Sequence, residues 1–174
     1  NNSGSKQSVS PITKSQAEEY HIWKQALQMI QELKRISQDD NLHLIIPLLV
    51  RVISRSNYNE QKEEVDFKVE VVRTISALIY CKSFKEYIAT IVHTMINVAE
   101  VYQTKETAAL YNQIISLFVQ MAKYLRIDFS PFIRLILEQC KRNGRGAEEF
   151  KAVVVQIINI NMVDLFKKNL ENDG

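Results

Sequence analysis

Glycine and proline are scarce here: 4 Gly and 3 Pro in 174 residues. So few of either leaves little room for the tight turns of a many-stranded β fold, or for a glycine-lined cradle around a cofactor phosphate. Charge of one sign is also missing. The 22 basic and 20 acidic residues are interspersed and leave a net charge of +2, which offers no electrostatic footprint for nucleic acid or anionic lipid. There are 2 cysteines, Cys81 and Cys140, far apart and each inside an apolar helical pattern, so reduced, buried thiols are expected rather than a disulfide. The longest uncharged run, Thr107 to Ala122, contains Asn112, Gln113 and Gln120. It is too short and too polar for a bilayer that needs ~20 apolar residues.

What is present is helical material, with 46% hydrophobic residues to build a core. The first residues, "NNSGSKQSVSPITK", lack the apolar stretch of a signal peptide and any initiator Met, so the chain reads as a fragment with a disordered leader over 1–14. Ser15-Gln16-Ala17-Glu18 reads as a capping box opening a leading helix over about 16–37, within a unit at 15–38. Tyr20, Trp23, Leu27, Ile30, Leu33 and Ile36 would share its inner face.

From Asp40 onward apolar helices alternate with mostly short polar breaks. The pattern predicts three antiparallel pairs within 39–162: 41–54 with 65–81, 85–101 with 104–125, and 130–142 with 147–160. Residues 163–174 would form a tail or the start of another helix. Taking Pro47, His93 and Pro131 as equivalent gives spacings of 46 and 38 residues, close to the ~40 to 47 of HEAT and armadillo units. The second helices carry matching stripes, such as Val71, Val72, Ile75 and Leu78, then Ile114, Ile115 and Phe118, then Phe150, Val153, Val154 and Ile157. The expected fold is therefore all-α, an α-solenoid stacked as a right-handed superhelix.

Pro47 is the sharpest local puzzle, because proline inside a helix costs ~3 kcal/mol. The expectation is a continuous helix bent at Pro47, packed on the Val71, Val72, Ile75 and Leu78 stripe, with neighbours covering the freed carbonyl. Ser130-Pro131 reads differently, as an N-cap followed by proline in the first helical position.

No residue pattern points to catalysis. "NGRG" at Asn143 to Gly146 has no preceding strand and no Gly-Lys-Ser/Thr, so it reads as a turn rather than a phosphate loop. His21, His43 and His93 lie on separate helices without a second ligand at helical spacing. Asp39-Asp40, Glu63-Glu64 and Glu148-Glu149 fall at expected helix starts, where the macrodipole favours them. Lys82, Lys85, Lys123, Arg126, Lys141, Arg142 and Arg145 lie near the ends of successive helices. They are either dipole-favoured caps or, stacked along one rim, a basic ridge for a protein partner. Tyr20 and Trp23 at one end, and Phe166 and Leu170 at the other, read as faces left for neighbouring repeats.

The runs "DDNLHLIIPLLVRVI" (Asp39 to Ile53), "FKEY" (Phe84 to Tyr87), "IVH" (Ile91 to His93) and "LFVQMAKYLRI" (Leu117 to Ile127) resemble the helical-repeat region of target of rapamycin (TOR) kinases, over about 39–160. The resemblance implies a non-catalytic scaffold segment of a Ser/Thr protein kinase. Its parent would dimerise through its repeats and dock Raptor-type or Rictor-type subunits, in the cytoplasm or peripheral to endomembranes. Rapamycin binding would belong to a separate domain. No cofactor, metal, small-molecule ligand, nucleic acid or direct membrane insertion is expected of this segment. The alternative is an independent HEAT-type adaptor, a transport receptor or tubulin-binding array, with no kinase attached. Enzymatic activity within these residues ranks last.

Overall fold

The computed structural model describes residues 13–55, 62–143 and 147–172, and among these every regular element is helical. The elements are α1 (Lys14–Glu32), α2 (Arg35–Asp40), α3 (Leu42–Ser54), α4 (Lys62–Ala77), α5 (Ile88–Val101), α6 (Ala108–Leu125), α7 (Ser130–Asn143) and α8 (Ala147–Asn172). Short 3-10 turns at Phe84–Tyr87 and Arg126–Phe129 lead into α5 and α7. The expected leader lies almost wholly outside the described residues, as do Arg145 and most of "NGRG".

The helices pack in two layers. α1, α4, α6 and α8 lie side by side in one, the inner layer, while α3, α5 and α7 form the other, each packed against the helix that follows it in sequence. Side-chain contacts fix the register. The Tyr20 hydroxyl donates to the Glu63 carbonyl at 2.6 Å, and the Gln31 amide donates to the Thr74 hydroxyl at 2.9 Å, each across 43 residues, so α1 runs parallel to α4. Arg73 donates to Gln113 across 40 residues, and with the Tyr80–Tyr124 ring contact farther along this sets α4 and α6 in the same sense. Arg126, in the 3-10 turn just beyond α6, donates to Asp164 at 2.8 Å across 38 residues and ties that end of α6 to α8.

Apolar stripes account for the core. On α3 the buried residues are Leu42, Ile45, Ile46, Leu49, Val52 and Ile53, an i, i+3, i+4 pattern that continues on α4 with Val65, Val71, Val72 and Ile75. Phe84 and Phe129, from the two 3-10 turns, are completely buried, and Phe129 packs near Phe118 and Phe132. The side chains of Phe150, Val153, Val154 and Ile157 on the last expected stripe lie outside the described set.

Several local expectations are corrected. The leading helix is not continuous to residue 37. It stops at Glu32, Leu33 and Lys34 are extended, and α2 then starts. Leu and Lys are good helix formers, so tertiary contacts win over propensity. The buried Gln38 side chain donates to the Ile30 carbonyl at the end of α1, and Asp39 accepts the Lys82 N–H at 2.8 Å. Leu33 and Ile36 consequently point outward, Ile36 at 76% exposure. The capping box forms two residues earlier than expected: Thr13 accepts from the Gln16 N–H, and Gln16 reaches back to the Thr13 N–H.

α3 does run unbroken through Pro47. Pro47 and His43, whose carbonyl loses its i+4 donor, are both on the exposed face, so solvent rather than a neighbouring helix faces the freed carbonyl. Asp39 and Asp40 close α2 instead of opening α3, whose N-cap is Asn41. Ser130 is helical and its hydroxyl donates to the Ile127 carbonyl, so it is no N-cap; the preceding 3-10 turn feeds α7 directly.

Candidate interaction surface

The expected basic ridge is split by the direction of the helices. Lys82 follows α4, Lys85 lies in the 3-10 turn after it, and Lys123 and Arg126 close α6; all four are exposed at one end of the stack. The Tyr80 and Tyr124 rings, 4.7 Å apart and edge to face, tie those two helix ends together. Lys141 and Arg142 instead close α7, which runs antiparallel to its partner helix. Arg142 meets Glu100, at the end of α5, with 3.8 Å between charges, so it lies at the opposite end. A single ridge through all the predicted cations therefore does not exist, and Arg145 falls outside the described residues.

Around Tyr80 the structure builds a connected patch. Tyr80 and Tyr124 are 58% and 49% exposed, unusual for aromatics held by each other. The Arg35 guanidinium sits 5.5 Å from the Tyr80 ring centre, within cation–π range. Cys81 beneath is buried and free, and its thiol is pushed up, first by burial and then by Asp39. Neither Lys82 nor Lys123 has an ion-pair partner among the described residues, whereas Arg126 is paired with Asp164. Next to Lys123 an open cleft of about 540 Å³ is lined by Lys123, Arg126, Asn159 and Val163.

Arg126 also carries the one positive φ among the described non-glycine residues, 51° with ψ −117°, as the C-cap of α6. Glycine is the usual occupant of such a position, since a Cβ there costs about 1 kcal/mol or more. The strained backbone turns the chain from α6 into the 3-10 turn while the side chain is held on Asp164.

The other end of the inner layer is acidic. A groove of about 360 Å³ between α1 and α4 presents Glu63, Asp66 and Glu70 opposite Lys24. Tyr20 packs edge-on against Phe67 under the Lys24 ammonium. Burial, with Glu63, Glu64 and Asp66 nearby, pushes its phenol up to about 12.

The group that sequence reasoning missed is Lys68, only 2% exposed. Its ammonium donates to the carbonyls of Ile53 at 2.7 Å and Arg55 at 2.6 Å, the orphan acceptors at the end of α3. Glu64 lies 3.9 Å away, the Tyr102 ring centre 5.2 Å away, and Tyr102 donates to Glu64 at 3.2 Å. Burial lowers the Lys68 pKa to about 8, partly offset by Glu64; burial and Glu64 raise that of Tyr102. A lysine whose pKa is lowered toward neutrality is the kind of group that serves as a nucleophile or base. Here its protons are committed to backbone carbonyls in a closed site, which is helix capping. A signal was present in the sequence: position 68 is three residues from Val65 and from Val71, so it lies on the apolar face.

His21, His43 and His93 are all exposed, and among the described residues no three His, Cys, Asp or Glu side chains converge to hold a metal. No described helix is long and apolar enough to cross a membrane. Comparison of the chain with family models, with curated proteins and with solved structures returns no match.

Proposed function

We infer that the chain is a stack of HEAT- or armadillo-type helix pairs, a right-handed α-solenoid, serving as a non-catalytic scaffold in protein assembly. The observation that carries this reading is the repeated register, in which each inner helix and its end meet the next across 38 to 44 residues. An array of this kind binds through surface spread over several units, and needs no catalytic group to do so. The parent, on the resemblance of residues 39–160, is a TOR-like Ser/Thr protein kinase of nutrient and growth signalling. This segment then contributes to its dimerisation or to docking of Raptor-type or Rictor-type subunits in the cytoplasm.

The test is to tag the full-length native chain that contains this sequence and purify it with its partners. The expected result is a chain with a downstream kinase domain, Ser/Thr kinase activity, and a co-purifying accessory subunit lost when 42–143 is deleted. A full-length chain without a kinase domain overturns the reading in favour of an independent adaptor.

A further inference from the structure

We propose that α1 is an exchangeable arm, which leaves its own seat and fills the same seat on a second copy of the chain when the hinge at Leu33 and Lys34 rewinds to join α1 and α2 in one helix. The break between them runs against local preference, because Leu33 and Lys34 are both good helix formers yet are held extended. It leaves the last carbonyls of α1 and the first N–H groups of α2 without helical partners, and Lys34 gives α2 no side-chain cap. One buried side chain holds the bend. Gln38 donates to the Ile30 carbonyl, the acceptor that the Lys34 N–H would take in a continuous helix.

The two sides of the hinge are anchored separately. α2 stays with the body of the stack, since Asp39 accepts the Lys82 N–H and the Arg35 guanidinium lies over the Tyr80 ring. α1 has its own seat, where Leu27 and Ile30 go in among Leu49 and Val52 of α3 and Phe67 and Val71 of α4. The fit leaves an open groove of about 360 Å³ along α4.

The occupant follows from the seat, which is shaped to α1, and a second copy presents that same helix on the same hinge. The apolar contacts are recovered after exchange, as are the polar ties of Tyr20 to the Glu63 carbonyl, Gln31 to Thr74 and Arg55 to Glu19. The hinge and the protein concentration therefore set the balance between one chain and two. Leu33 and Ile36, exposed beside the hinge, give the two rewound helices apolar surface to bury where they pass each other. The inference needs only a second copy and no kinase parent or accessory subunit, so it and the scaffold reading can fail independently.

The experiment uses two forms of the chain, one with Gln28→Cys and the other with Glu70→Cys, positions that face the groove from α1 and α4. They are refolded together from urea at high protein concentration and treated with a short bismaleimide, with chains carrying only the native cysteines as the control. A product joining one chain of each kind is expected, with a dimer by light scattering that accumulates with concentration. Lys34→Pro should lower both by about tenfold or more without lowering the melting temperature. Proline suits the φ of −66° at Lys34 after an extended Leu33, but not the interior of the rewound helix. Gln38→Ala, which frees the Ile30 carbonyl, should raise both about threefold or more; if that variant fails to fold, Lys34→Pro decides alone. A chain that stays monomeric at every concentration, a dimer whose two engineered cysteines are not joined, or a Lys34→Pro chain that dimerises as before overturns the proposal.

Discussion

At the residue scale the most consequential side chain is Lys68, whose ammonium replaces solvent at the two carbonyls that end α3. Its pKa is lowered to about 8 in the fold, so between pH 8 and the ordinary lysine value the unfolded chain holds more protons than the folded one. Stability from this group therefore rises as the pH climbs through 8, the reverse of a lysine held by a dominant ion pair. Relative to Lys68→Met, the wild-type chain should gain about 1 kcal/mol between pH 7 and pH 9, read from urea unfolding at each pH. An unchanged difference across that interval would mean that the amine is not desolvated. Tyr20 acts with the opposite sign, but only above pH 10, because its phenol is raised to about 12 and keeps its proton in the fold.

At the scale of the element, α3 shows how a helix accommodates proline in its interior. Pro47 sits on the exposed side while Ile46 and Leu49 are buried beside it, so the lost hydrogen bond faces solvent and the packed face is intact. Pro47→Ala should accordingly stabilise the chain by about 1–3 kcal/mol, measured by thermal or urea unfolding. A loss of stability instead would show that the proline ring itself packs. The helix was legible in the sequence because its stripe repeats at i, i+3 and i+4 regardless of Pro47. The break between α1 and α2 was not, since Leu33 and Lys34 carry no breaker signal and the cause is Gln38 reaching back to Ile30 across the break while Asp39 and Arg35 bind groups distant in sequence. Of the candidate surface around Tyr80, Lys82 and Lys123 were visible as helix-end cations, whereas the pairing of Tyr80 with Tyr124 required the lateral register. Separation of Lys141 and Arg142 from them follows from the alternating direction of paired helices, which charge spacing alone does not express.

For the whole molecule, burial is deepest in the centre and thins toward both ends. α4 and α6 have inner-layer neighbours on both sides. α1 has one, and the last turns of α8 carry Phe166 and Leu170 exposed. Hydrogen exchange followed by mass spectrometry should find the slowest amides in α4 and α6 and the fastest helical ones in α1 and at the end of α8. Uniform protection across all helices would indicate a single cooperative unit rather than graded neighbour-to-neighbour stability. The regular register has a further consequence during synthesis on the ribosome. Because the side-chain contacts linking successive inner helices join residues only 38 to 44 positions apart, α4 can seat against α1 before α6 has been translated. Each later helix then arrives on a surface already built. None of these inner-layer partners has to wait for the distant end of the chain, so emerging apolar faces stay uncovered only for the time needed to make the next forty or so residues, a few seconds at ~5–20 residues per second.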